Sequence, residues 1–169
     1  EGVLYGALSL RSFKHRVPDT PAIRTLLEAI TYRVERAIER SENLFELRRT
    51  REETLLAMGL MLEHRDIETK GHTERVTALA LFMGEYMGLD TQSLEHLRWG
   101  AYLHDVGKVA IPDRVLLKPA RLDPDEWQIM KRHGAIGEAI LLGLGFIPKE
   151  VLEVVRHHHE RDRKSTRLN

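Results

Sequence analysis

Between Pro21 and Gly59 the chain contains neither glycine nor proline. A run of that length without a breaker excludes a series of tight turns. Its natural form is one helix, a rod of several tens of ångströms at about 1.5 Å per residue. Asp19-Thr20-Pro21 supplies the start, a capping side chain followed by proline in the first turn. Ile30, Val34, Ala37, Ser41 and Leu44 hold a 3-4 spacing. Arg48 and Arg51 interrupt it, and Leu55, Met58 and Leu62 resume it. Such a stripe either packs on its own chain or pairs with its twin. The spacing predicts a linker helix over 21–53 that joins two copies in a homodimer.

The flanks differ. Gly2 to Leu10 reads as a β-strand, with small and β-favouring residues in near alternation. It has no partner strand downstream, and a lone strand is not stable. Residues 1–20 are therefore expected to be the last strand and loop of an α/β domain that begins upstream. Beyond Gly59 one amphipathic helix follows another, over Leu60–Thr69, His72–Met87 and Thr91–His104. Another opens at the Asp123 cap, one spans Ala135–Leu142, and the last opens at Pro148 and carries His157 to Glu160. The fold class is mainly α, a helical bundle over 54–160 with short loops. The tail 161–169 is polar and unpatterned and reads as disordered and non-native.

Composition removes several functions. Without cysteine there is no disulfide and no thiolate metal site. Acidic and basic residues balance at 26 each, so no global charge calls for nucleic acid or an anionic membrane. No apolar run approaches the roughly 20 residues of a membrane span. We expect a cytoplasmic protein with neither partner. Histidine stands out instead, at nine residues.

The histidines fall beside carboxylates, helix by helix. Tyr102 to Asp113 contains the adjacent pair His104-Asp105, with Lys108 one helical turn further on. Glu68 and His72 are four apart, on one face if a helix continues between them. His133 closes one predicted helix, and His158 and His159 end the last. Singly, each has an ordinary explanation as a cap, a dipole partner or a surface group. Jointly they form the inward-facing set from which bundles build metal sites. A mixed imidazole and carboxylate set suits Fe, Mn or Zn. Seven ligands exceed the need of one ion and imply two or three, the usual device for hydrolysing phosphate esters.

These residues resemble a known family. Arg65-Asp66, Glu68-Thr69, His72 and Arg75, then His104-Asp105, Gly107-Lys108 and Ile111-Pro112-Asp113, then Lys118-Pro119, His133, Gly137 and His158-His159-Glu160 are similar in register to the HD-GYP family. That branch of the HD phosphohydrolases hydrolyses cyclic di-GMP in bacteria. The resemblance implies an HD-type helical bundle. It implies metal ligation by Glu68, His72, His104, Asp105, His133, His158 and His159, with Fe or Mn as the metals. It also implies catalytic roles for Asp105 and for Lys108 on the substrate phosphate, and pGpG or GMP as product. Arg75 matches a structural or phosphate-facing position. His15, His64 and His96 match nothing and are expected at the surface, and His157 is not expected to be a ligand.

The chain departs from the family after Glu160, where Asp-Gly-x-Gly-Tyr-Pro and a later helix with a further Asp ligand would follow. Ala120 stands where glycine is usual. The opening strand and the long helix with Val34 to Glu39 resemble the end of a GAF sensor domain. The chain is thus expected to be truncated at both ends. Two other readings stand beside this one: an HD phosphohydrolase of another nucleotide, and a signalling or dimerisation module without catalysis.

Overall fold

The computed structural model describes residues 20–66 and 70–160. Every regular element among them is helical: α1 Pro21–Glu63, α2 His72–Tyr86, α3 Thr91–Leu103, a 3₁₀ segment Val106–Ala110, α4 Asp113–Leu116, α5 Pro124–Met130, α6 His133–Leu142 and α7 Lys149–His157. The mainly α expectation is met. The expected strand at 2–10, the GAF-like fragment and the tail 161–169 lie outside the described residues. None of the described helices is long and apolar enough to cross a membrane.

Contacts divide the chain into two units, 1–50 and 51–169. The described part of the first is the opening of α1. Thr20 marks its start, accepting a hydrogen bond from the Ile23 amide at 3.4 Å. Apolar side chains there stay exposed, among them Ile30, Val34 and Leu44 of the 3-4 stripe.

The second unit packs the end of α1 with α2 to α7. Leu55, Trp99, Leu103, Val151, Leu152 and Val155 form its main core. The α7 members fall at i, i+1 and i+4 and so share one face. Full burial of side chains of this size is worth about 1.5–3 kcal/mol each. Arg51 stacks on Trp99 at 4.2 Å, closing one edge of the core. A smaller cluster of Ile111, Val115 and Leu116 fixes the connection after the 3₁₀ segment.

Gly59 does not break α1, as its composition suggests it should. It lies under the Tyr102 carbonyl of α3, where a Cβ would overlap that oxygen. The glycine serves close approach, and the first residues of the predicted separate helix over Leu60–Thr69, up to Glu63, are instead the end of α1. Asp90 and Asp123 cap α3 and α5 as expected, Asp90 accepting from Ser93 N at 2.7 Å and Asp123 forming a reciprocal box with Glu126. The segment 107–119, expected as a plain connection, contains the 3₁₀ turns and α4.

Candidate metal centre

Three helices of the second unit end at one place. His104 follows the last residue of α3, His158 follows the last residue of α7, and His133 stands three residues beyond the end of α5. In each case the ring Nδ1 meets the carbonyl three residues back: Ala101 at 2.7 Å, Met130 at 2.7 Å and Val155 at 2.8 Å. Those carbonyls lie in last turns, where helices leave acceptors without intrahelical partners. A carbonyl only accepts, so each Nδ1 carries a hydrogen and each ring turns its Nε2 the other way, where a neutral ring offers a lone pair. His133 is therefore not the end of a helix, as the sequence suggested. It opens α6, while its ring closes the end of α5.

The Nε2 atoms converge on Asp105. Its Oδ2 is 3.0 Å from His104 Nε2, and its Oδ1 is 3.3 Å from His133 Nε2 and 3.7 Å from His158 Nε2. The Nε2 atoms of His133 and His158 are themselves 3.0 Å apart. Two lone pairs at that separation, facing a carboxylate, require a positive species between them. The donor set thus fits a divalent metal. Two groups can each place one ligand atom within 4.8 Å of the others: His72, His104 and Asp105, and His133, His158 and His159. Asp105 turns one oxygen to each.

Electrostatics agree with this inventory. Burial lowers the basicity of His158, with His159 and His104 adding to the effect, to a pKa of about 4. Burial likewise lowers His159. Both therefore offer neutral nitrogens at neutral pH. Burial opposes ionisation of Asp105, but its bonds to His104 and Lys108 prevail and hold it below the usual carboxylate range. Burial also opposes charge on His104, and the Asp105 carboxylate outweighs it, so the ring is pushed up.

Lys108 does not continue a helix from His104, since α3 has ended. The 3₁₀ turn carries it back, and its buried Nζ lies 2.9 Å from Asp105 Oδ2 and 2.7 Å from Asp66 Oδ2. The backbone permits this because position 107 is glycine: a Cβ there would overlap the His133 carbonyl and crowd the Gly137 amide of α6.

His72 opens α2, ring centroid 5.5 Å from that of His104. Gly71 before it has φ 79°, which ends any helix from the Glu68 side, and no side chain of its own caps α2. Glu63, the last residue of α1, takes that role by accepting from Gly71 N at 2.5 Å and Thr73 N at 3.0 Å. The Thr73 amide outweighs burial and holds the Glu63 carboxyl below its ordinary value. Glu68 falls in 67–69, outside the described residues. Arg75 donates to the Lys70 carbonyl at 2.7 Å, closing the turn ahead of α2. His96, expected at the surface, is only part-exposed, with Trp99 beside it and Glu150 at 3.5 Å. His64 is exposed as expected, and His157 turns to Glu160 at 2.7 Å. Nothing in the sequence marks Glu63, and Arg65 and Asp66 stand out only as motif members. The sole hint was their position in that motif. Beside His72, His104, Lys108, His158 and His159 an open cleft of about 370 Å³ has an apolar wall of Val76, Ala80, Leu97 and Val154.

The chain is similar to several characterised proteins. It is 42% identical over 116 residues to a cyclic di-GMP phosphodiesterase of Thermotoga maritima, covering 64% of this chain and 30% of the relative. It is 41% identical over 112 residues to a cyclic di-GMP phosphodiesterase response regulator of Xanthomonas campestris, covering 65% and 30%. It is 34% identical over 139 residues to a 3'3'-cGAMP-specific phosphodiesterase of Vibrio cholerae, covering 82% and 27%. The chain thus spans under a third of the length of these relatives. Residues 69–168 match the HD domain. That span is more than half of the 169 residues and contains the convergent histidines, and the chain belongs to the HD domain family.

Proposed function

We propose that the intact protein is a metal-dependent phosphodiesterase that hydrolyses cyclic di-GMP to pGpG or GMP. The observation that carries this reading is Asp105, whose two carboxylate oxygens face two separate imidazole groups. We assign His72, His104, Asp105, His133, His158 and His159 as metal ligands, with Glu68 as a further one. Two or three ions, Fe or Mn, suit this nitrogen and oxygen set. Such ions, when bound, lower the pKa of a coordinated water and offset charge on phosphoryl oxygens.

The chain's own groups do the rest. Asp105 stays ionised because His104 and Lys108 hold it so, and its two oxygens face the two histidine groups. The Lys108 ammonium, fixed by two carboxylates, stands at the cleft as a point charge for a substrate phosphate. The apolar wall suits a base of the same substrate. Cytoplasmic location and pairing through the exposed stripe of α1 complete the proposal.

The test is turnover of cyclic di-GMP by the intact protein with Fe(II) or Mn(II). A rate no higher than that of metal-free protein would exclude metal-dependent hydrolysis of cyclic di-GMP and leave the other-nucleotide and signalling-module readings. The Vibrio relative specific for 3'3'-cGAMP favours a second reading, hydrolysis of another cyclic dinucleotide. Competition between the two dinucleotides in the same assay separates them.

A further inference from the structure

Arg65 follows α1 by two residues and points to the segment that carries Lys108. Its Nη1 donates to the carbonyls of Val109 at 2.6 Å and Lys108 at 3.4 Å. Its Nη2 donates to the Ile111 carbonyl at 3.3 Å and to Asp113 Oδ1 at 2.7 Å. One planar fork thus gathers three carbonyls from the end of the 3₁₀ segment, of which, among the described residues, only that of Lys108 also accepts from a nearby amide, that of Ile111 at 3.0 Å. On its other side the same segment lies against α6 through Gly107. Lys108 sits between these two supports, and its Nζ is met by Asp66, the neighbour of Arg65.

We propose that Arg65 is a positioning residue that sets the backbone from which Lys108 reaches the cleft. The claim rests on the reading above that Lys108 serves a substrate phosphate. Among the described residues, Arg65 touches neither an assigned metal ligand nor the cleft. It acts only through the 3₁₀ segment. Its effect needs the fork, which a lysine ammonium cannot reproduce even where it retains a charge beside Asp113.

The test compares Arg65→Ala, Arg65→Lys and Asp113→Asn in the intact protein. Both Arg65 variants are expected to speed amide exchange over 106–111 and chemical labelling of the Lys108 amine, with exchange in α6 and α7 and metal content unchanged. Asp113→Asn, which spares the carbonyl bonds, is expected to behave like the parent. Arg65→Ala is expected to lower kcat/KM about tenfold, the order that a small displacement of a catalytic group produces. On a Lys108→Ala background it is expected to cost nothing further. Unchanged exchange and labelling, or losses that multiply in the double variant, overturn the proposal. If the parent turns over no cyclic dinucleotide, the functional reading falls, and exchange and labelling still decide whether Arg65 holds the segment.

Discussion

The two halves of the candidate metal centre are held by different means. On the side of α3, α5 and α7, three imidazoles are oriented by carbonyls three residues earlier in the chain. On the side of α1 and α2, the turn that presents His72 and the side chain of Lys108 depend on Glu63, Arg65 and Asp66, partners eight to more than forty residues away. The first half is built from helix ends, whose negative dipole poles favour a cation. The second is built from side chains reaching across the packing. The local half should resist perturbation of α1, and the distant half should not.

The largest test removes the residue both halves share. Asp105→Asn should abolish metal retention and lower turnover by more than about 10²-fold, since even outer partners of metal ligands are worth about 10- to 100-fold. Metal content of the purified variant and its turnover check this. Retention of all metal would mean the halves do not meet at Asp105.

Gly107→Ala strikes the seam between them. The overlap is with backbone of α6 and cannot be relieved by a rotamer, so a loss of about 1–3 kcal/mol is expected. A urea midpoint lowered at constant slope checks it.

Glu63→Ala separates the halves. It should cost about 1 kcal/mol, the value of a helix cap. Faster amide exchange should appear in the first turn of α2 and be absent from α6 and α7. Equal acceleration in both would mean that the two halves are not held separately.

The smallest effect is in pH. The Glu63 carboxyl is depressed in the fold, so its stabilisation is complete above the ordinary Glu range of about 4.3 and is lost as pH falls through the folded value. The stability gap between the parent and Glu63→Gln should be constant near neutrality and close in acid. A gap that widens in acid would reverse the sign.

The same contrast explains what could be read before any coordinates. Asp90 and Asp123 cap their helices through bonds to residues two or three away, and such rules are visible in sequence. The histidine clustering was legible for the same reason, because metal chemistry limits the residue types. Gly59 misled, since a glycine that weakens a helix and one that admits a neighbouring backbone look alike. His133 was placed at the wrong end of a helix because α5 and α6 are separated by only Lys131 and Arg132. Glu63 had no local signature at all and Arg65 only its place in a motif, for their partners are brought near only by the fold.

The facing Nε2 atoms of His133 and His158 also bear on how the centre is emptied. With both Nδ1 hydrogens committed to carbonyls, neither ring can donate to the other, and protons and an ion compete for the same two nitrogens. The ion's hold on the protein would therefore weaken as the medium is acidified, and metal retention measured across a pH series would show it.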